Sequence, residues 1–126
     1  VRPAMVEALR RCSSRLKTAM LTNNFRPPDA DEAHIDGDPR RAELAAIHDL
    51  FDEIVESSVV GVRKPEVRFY EIACERLGVT PEECVFLDDL GINLKPAKAM
   101  GMTTIKVVSA EQAITDLEGV LGIPLR

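Results

Sequence analysis

Phe86-Leu87-Asp88-Asp89-Leu90-Gly91 is the stretch that decides the fold class of this chain. The apolar run from Cys84 to Leu87 predicts a buried strand that stops at two adjacent carboxylates. Carboxylates at the carboxyl end of a buried strand lie where open α/β sheets bind ligands. Two of them side by side repel each other unless a cation, a hydrogen-bond donor or a proton shares the site. Mg2+ favours such oxygen ligands, although a single Asp after a strand is often only the cap of the next helix.

The composition limits the classes of protein to consider. At 126 residues the chain corresponds to one domain or part of one, and 45% hydrophobic residues suffice for a core. A net charge of -5 argues against a nucleic-acid partner, and no apolar run reaches the length of a membrane span. Three isolated cysteines, Cys12, Cys74 and Cys84, predict buried free thiols and a reducing, cytoplasmic location.

Helical patterns alternate with short apolar strands along the chain, which predicts a Rossmann-like doubly wound parallel sheet with helices on both faces. The expected helices cover residues 3–15, 41–51, 65–77, 93–100 and 110–121, and the expected strands cover 18–22, 54–58, 84–87 and 103–108. A single turn is expected at 80–83, and an acidic loop rich in Pro and Asp at 25–40. Four strands are fewer than the about five or six of an average sheet, so the sheet is expected to be incomplete.

Three further motifs accompany the acidic pair. The strand that ends at Thr22 and Asn23 offers a hydroxyl and backbone N–H groups to a phosphoryl oxygen, or forms an ordinary turn. Lys64 stands just before the helix-opening Pro65, where the helix dipole disfavours a cation. That conflict indicates a nearby anion, unless Lys64 is simply a surface lysine. Asn93 either orients a carboxylate or caps the following helix, and capping is the commoner role.

In this order the motifs resemble those of the haloacid dehalogenase-like hydrolases, most of which are Mg2+-dependent phosphatases with an aspartate nucleophile. Thr22 is similar to the second motif of the family, Lys64 to the third, and Asp88-Asp89 with Asn93 to the fourth. The run 86–97 looks especially like the N-terminal phosphatase domain of soluble epoxide hydrolases and the related domain of an acyl-CoA dehydrogenase family member. The resemblance covers nearly the whole chain, which we therefore expect to be one partial core domain, residues 1–126.

The resemblance implies how a small phosphorylated molecule is bound. Thr22, together with the backbone of Asn23, would bind the phosphoryl group through hydroxyl and N–H donors. Lys64 would act as a catalytic residue by neutralising the nucleophile and the phosphoryl oxygens, a role that suits a compact point charge.

The resemblance also implies a Mg2+ site on the acidic motif. Asp89 would ligate the metal ion. Asp88, counted with Lys64 as catalytic, would support the metal directly or through water. Asn93 would hold the acidic loop in place. A two-carboxylate motif suits metal-assisted phosphoryl transfer better than dehalogenation, so the resemblance favours a phosphatase.

The first motif of the family, an apolar strand ending in Asp-x-Asp, has no match at its expected place. Its first Asp attacks phosphorus to form an aspartyl-phosphate, and its second is the general acid and base. Asp29-Ala30-Asp31 and Asp36-Gly37-Asp38 have the spacing, but both lie in the loop after Thr22 and follow no apolar strand. We therefore expect a chain that begins, at Val1, after the nucleophile strand and any cap domain, and that is inactive alone.

The missing strand has a mechanical consequence. In the sheet of the family it lies between the strands that end at Thr22 and at Asp88, so its loss leaves two backbone edges unpaired. We expect an N-terminal segment or a second chain, as in a homodimer, to supply that strand. Otherwise the two flanking strands close up and pair directly.

Two other functions compete with a phosphatase. A non-catalytic binding module that kept the fold after losing its nucleophile remains an alternative, and Asn or Gly at the nucleophile position upstream of Val1 would favour it. A flavodoxin-like receiver domain also binds Mg2+ with an acidic pair. However, its Lys follows the acidic pair, whereas here Lys64 precedes Asp88, so the order of the motifs argues against a receiver.

Overall fold

The structure, a computed structural model, describes residues 3–23 and 45–126. The elements follow one another as α1 (Pro3–Ser13), β1 (Ala19–Thr22), β2 (Glu53–Glu56), α2 (Ser57–Val60), α3 (Val67–Leu77), a 3-10 turn (Pro81–Glu83), β3 (Val85–Asp88), α4 (Gly91–Ala99), β4 (Thr103–Lys106) and α5 (Ala110–Leu121). Residues 45–48 form one further helical turn. The alternation of strands and helices confirms the α/β class that the sequence predicts.

The strands form two parallel pairs. β1 pairs with β2 in a register that places Thr22 opposite Glu56. β3 pairs with β4 in a register that places Asp88 opposite Lys106. Because both strands of a parallel pair run the same way, Thr22 and Asp88 each lie at the carboxyl end of their own pair. The carboxyl ends of parallel strands are where the sequence analysis places the ligand site.

β1 and β3 do not pair with each other. In the part of the chain that the structure describes, β1 is hydrogen-bonded only to β2, and β3 only to β4. The alternative in which the flanking strands close up and pair directly is therefore wrong. Helix α3 contacts both pairs of strands, because Phe69 packs with Val55 of β2 and Tyr70 packs with Phe86 of β3. Leu21 of β1 packs against both of these clusters, so side chains link the two pairs although no strand hydrogen bonds do.

Helices α1 and α5 pack against each other in a third apolar cluster. Its buried members are Ala8, Cys12, Ile114 and Leu125. The sequence predicts the ends of α5 well: Ser109 forms a capping box at its start, and Gly122 follows it in the left-handed conformation. The three cysteines of the chain are free, as expected, with Cys12 and Cys74 buried and Cys84 partly exposed.

The second strand ends earlier than the sequence predicts. Ser57 and Ser58, expected in the strand, instead begin helix α2. The register explains this, because the pairing with β1 runs only as far as Glu56, which lies opposite Thr22, the last residue of β1. Gly61 ends α2 in the left-handed conformation, with φ of 80°, which a glycine adopts at little cost.

Helix α3 begins later than the sequence predicts. Pro65, expected in its first turn, lies in a separate turn in which the Glu66 N–H donates to the Arg63 carbonyl at 2.8 Å. The Lys64–Pro65 peptide bond of this turn is cis. Glu66 remains extended, so the helix begins at Val67. Lys64 therefore belongs to a tight turn rather than to the helix terminus, which weakens the dipole argument applied to it.

Some expectations fall outside the described residues. The acidic loop at 25–40 lies there with both Asp-x-Asp pairs, at 29–31 and 36–38, and so do the first residues of the helix expected at 41–51. Among the described residues, none of the helices combines the length and the apolarity needed to cross a bilayer.

Candidate active site

Asp88 is the centre of a buried polar cluster at the carboxyl end of β3. Only 9% of the residue is exposed. Its Oδ2 accepts hydrogen bonds from Lys64 Nζ at 2.9 Å and from Asn93 Nδ2 at 3.3 Å. Its Oδ1 accepts one from the backbone N–H of Leu90 at 2.9 Å. Since each oxygen has a donor, the buried charge is compensated by one cation and two neutral groups.

These contacts favour the ionised form of Asp88. Burial alone would raise the pKa of this carboxyl group. The hydrogen bond from Lys64, the Leu90 N–H and the positive charge of Lys64 outweigh burial and hold the pKa below the ordinary value of 3.8. Asp88 is therefore a carboxylate at neutral pH, and it is the anion that faces Lys64.

Lys64 is fixed at both ends of its side chain. Its ammonium group bonds to Asp88 and lies 5.9 Å from the centre of the Phe86 ring, within the range of a cation–π contact. Only 13% of its side chain is exposed. At the other end, the side chain of Asn23 hydrogen-bonds to both the backbone N–H and the backbone carbonyl of Lys64. The lysine is a partly buried, oriented charge rather than a surface lysine.

Asn93 orients the carboxylate instead of capping the helix. Helix α4 begins at Gly91, two residues before the predicted start, and Leu90 is its N-cap. Asn93 therefore lies inside the first turn, with 5% of the residue exposed, and donates to Asp88. Of the two roles that the sequence left open for Asn93, the geometry favours the one toward the carboxylate.

Tyr70 is a member of the cluster that the sequence analysis did not identify. It is fully buried in α3, and its hydroxyl donates to the Asn93 carbonyl at 2.6 Å. Its ring meets the Phe86 ring edge-on, with the ring centres 5.4 Å apart. Burial, and then the negative charge of Asp88, raises the pKa of Tyr70 to about 12. The sequence did contain a signal for this role. Tyr70 lies on the apolar face of a predicted helix, and a buried tyrosine hydroxyl needs a hydrogen-bond partner.

Thr22 and Asp89 form the more open side of the site. Thr22 ends β1 directly before Asn23 and is partly buried, whereas Asp89 follows β3 and is exposed. The hydrogen-bonded cluster thus joins Lys64, Asp88 and Asn93, and Asn23 reaches it through the backbone of Lys64. Thr22 and Asp89 flank that cluster at the ends of two different strands.

The donor set suits a hard cation that keeps most of its waters. In the described ranges, no three His, Cys, Asp or Glu side chains come together as a metal cage. The site instead offers two adjacent carboxylates, of which Asp89 is exposed and Asp88 is engaged by three donors. Mg2+ is commonly bound by one or two carboxylates together with water and phosphate oxygens. The chemistry of these residues therefore fits Mg2+, and Asp89 is the more accessible of the two carboxylates.

The sequence is similar to those of several characterised proteins. It is 40% identical to acyl-CoA dehydrogenase family member 10 of Mus musculus over 124 residues, 98% of this chain and 11% of that protein. It is 36% identical to bifunctional epoxide hydrolase 2 of Sus scrofa over 124 residues, 98% of this chain and 21% of that protein. A phosphatase of Mycobacterium tuberculosis is 37% identical over 101 residues, 80% of this chain and 42% of that protein. The chain thus spans less than half the length of these relatives.

Solved structures share the fold. A predicted haloacid dehalogenase (HAD)-like hydrolase from Porphyromonas gingivalis superimposes with a TM-score of 0.72 and 18% identity, covering 96% of this chain and 58% of that one. A HAD family enzyme from Bacteroides thetaiotaomicron, solved in complex with magnesium and inorganic phosphate, gives a TM-score of 0.63 and 19% identity, covering 84% and 52%. At these identities the two structures support the Rossmann-like arrangement alone.

The family itself follows from a sequence model. The model of the haloacid dehalogenase-like hydrolases matches residues 1–101, which include the ends of β1 and β3, the turn at Lys64 and helix α4. The resemblance found in the separate motifs therefore extends over most of the chain. The chain belongs to the haloacid dehalogenase-like hydrolases.

Proposed function

We propose that this chain carries the carboxyl-terminal part of the active site of a Mg2+-dependent phosphatase. The observation behind the proposal is the buried ion pair of Lys64 and Asp88, 2.9 Å apart, beside the exposed carboxylate of Asp89. A fixed cation next to hard oxygen ligands suits an anion and a divalent metal ion together. The phosphatase among the relatives and the magnesium and phosphate bound to the B. thetaiotaomicron enzyme support this choice.

Each residue would contribute a distinct task to phosphoryl transfer. Thr22 and the backbone N–H of Asn23 would hold the phosphoryl oxygens of a small phosphorylated substrate. Lys64 would stabilise the charge on the transferring group and on the nucleophile. Asp89 would ligate Mg2+, and Asp88 would support that ion directly or through water while it orients Lys64. When bound, Mg2+ would supply further charge neutralisation at the phosphoryl oxygens.

The nucleophile would come from outside the described residues. An aspartate that forms an aspartyl-phosphate has to lie near Thr22 and Lys64, and a strand between β1 and β3 would bring it there. Both of these strands have one edge without a strand partner in the described part of the chain. We infer that an N-terminal segment or a second chain that bears the nucleophile supplies this strand.

Hydrolysis of p-nitrophenyl phosphate in the presence of Mg2+ tests the proposal. The 126-residue chain alone should give no turnover above the protein-free background. Addition of a designed peptide, an apolar strand ending in Asp-x-Asp, should restore Mg2+-dependent turnover because it provides the nucleophile and pairs with both open edges. A peptide with Asn at the first Asp is the matched control and should restore none.

Two outcomes would contradict this assignment. Mg2+-dependent turnover by the chain alone that Asp29→Asn or Asp31→Asn abolishes would place the nucleophile in the loop at 25–40. A peptide that binds the chain without producing turnover would favour the alternative, a non-catalytic binding module that retains the fold.

A further inference from the structure

The side chain of Asn23 makes a two-point contact with the backbone of Lys64. Asn23 Oδ1 accepts from the Lys64 N–H at 2.8 Å, and Asn23 Nδ2 donates to the Lys64 carbonyl at 3.0 Å. The carboxamide therefore behaves like the peptide group of a neighbouring strand, with one donor and one acceptor facing the same residue. The contact joins the end of β1 to a turn 41 residues further along the chain.

This contact matters because a lysine ammonium is difficult to fix in space. The side chain of Lys64 is long and loses considerable rotamer freedom when it is held in one position. The hydrogen bond and the ring contact at its far end, with Asp88 and Phe86, localise the ammonium only if the backbone is also fixed. The carboxamide of Asn23 supplies that fixed point at the N–H and the carbonyl of the same residue.

We propose that the Asn23 side chain is a positioning residue that fixes Lys64, and that it binds no phosphate itself. The catalytic meaning of this role rests on the proposed phosphatase function, whereas the geometric role does not. Under this proposal Asn23 has two separate roles. Its backbone N–H remains available to the phosphoryl group, whereas its carboxamide hydrogen-bonds to Lys64. The resemblance to the family implied only the backbone role.

The chemistry of the contact explains why asparagine occupies position 23. An aspartate would still accept from the Lys64 N–H, but its second oxygen would face the Lys64 carbonyl and repel it. An alanine would make neither bond. The Asn23→Asp variant therefore removes one of the two hydrogen bonds, with little change in side-chain size. The Asn23→Ala variant removes both.

Nuclear magnetic resonance of the 15N-labelled chain, without metal or phosphate, tests the proposal. We expect Asn23→Ala to speed hydrogen exchange of the Lys64 backbone amide by about tenfold, the factor for one lost hydrogen bond, and to broaden the ammonium signal of Lys64. Asn23→Asp should keep the amide protected and still shift the ammonium signal. Thr18→Val is the matched control, because it removes a hydrogen bond to the Leu50 carbonyl at the opposite end of β1.

Three results would overturn the proposal. They are an unchanged Lys64 ammonium signal in Asn23→Ala, an equal loss of protection at all core amides, and the same Lys64 changes in Thr18→Val. The second would mean that Asn23 acts only on the stability of the whole fold. These measurements involve no turnover, so a negative result leaves the phosphatase proposal intact. Likewise, failure of the peptide to restore turnover leaves the positioning role of Asn23 intact.

Discussion

Asp88 and Asp89 are adjacent carboxylates with opposite surroundings. Asp88 is 9% exposed and accepts hydrogen bonds from Lys64, Leu90 and Asn93. Asp89 is exposed and follows the last residue of β3. The end of the strand separates their surroundings, because Asp88 is the last residue of β3 and Asp89 lies in the bend that follows it. One strand end thus provides both a buried structural charge and an accessible one.

The difference shows how a small site can be both rigid and open. The charge of Asp88 is compensated, and in the described residues no buried side-chain nitrogen or oxygen lacks a hydrogen-bond partner. On this buried side, Lys64, Asn93 and Tyr70 are held by hydrogen bonds within the chain itself. The open side, with Thr22 and Asp89, leaves room for exchangeable ligands. We therefore expect substitutions on the buried side to act on stability and those on the open side to act on binding.

Replacing each of the two aspartates by asparagine tests this difference most clearly. Asp88→Asn should lower the free energy of unfolding by about 3 kcal/mol, because it leaves the buried ammonium of Lys64 without its counter-charge. The asparagine amide also has only one acceptor oxygen, because its other end is an NH2 donor. It therefore cannot present a separate oxygen to the Leu90 N–H and to Lys64, as the carboxylate does. Urea denaturation in metal-free buffer, followed by circular dichroism, measures the change.

Asp89→Asn is the matched control for this prediction. Because Asp89 is exposed, its substitution should change the free energy of unfolding by no more than about 0.5 kcal/mol. Equal losses in the two variants would show that the two carboxylates do not differ in their structural roles.

A smaller effect is expected from Tyr70 at alkaline pH. Burial and the charge of Asp88 raise its pKa from 10.0 to about 12, so the folded state favours the neutral hydroxyl. This stabilisation is fully present below pH 10.0, the unfolded value, and is lost as the pH rises through about 12. Since the chain has one tyrosine and no tryptophan, tyrosinate absorbance reports Tyr70 alone.

The Tyr70→Phe variant sharpens this test. It keeps the ring against Phe86 and removes only the bond to the Asn93 carbonyl. Its disadvantage in stability relative to the parent chain, about 1 kcal/mol at neutral pH, should shrink as the pH rises from 10.0 toward 12. An ordinary tyrosinate midpoint in the folded chain would contradict the burial of Tyr70 beside the charge of Asp88.

The fold was predictable from the sequence where local signals agree. The capping box at Ser109 and the glycine at 122 set the ends of α5, and apolar runs marked the strands. The errors occurred where a distant partner decides the local structure. Ser57 and Ser58 begin helix α2 because the register with β1 ends at Glu56, opposite Thr22, and no pattern in their own segment contains that information. The lack of pairing between β1 and β3 in the described residues likewise concerns segments that lie far apart along the chain.

The candidate site was predictable as a set of residues but not as a network. The motifs identified Thr22, Lys64, Asp88, Asp89 and Asn93. The sequence could not show that the side chain of Asn23 holds the Lys64 backbone, because that contact depends on how two distant turns meet. Nor could it distinguish the tasks of the two carboxylates, since burial separates them only after β3 has packed.

Titration of the chain with Mg2+, followed by amide chemical shifts, tests the central claim most directly. The claim is that the acidic pair after β3 is an accessible metal site on a rigid, prearranged base. We predict saturable shifts confined to the residues around Asp89 and the start of α4, and their loss in Asp89→Asn, which remains folded. Unchanged Mg2+-dependent shifts in Asp89→Asn, or shifts spread over the acidic surface of the chain, would contradict the claim.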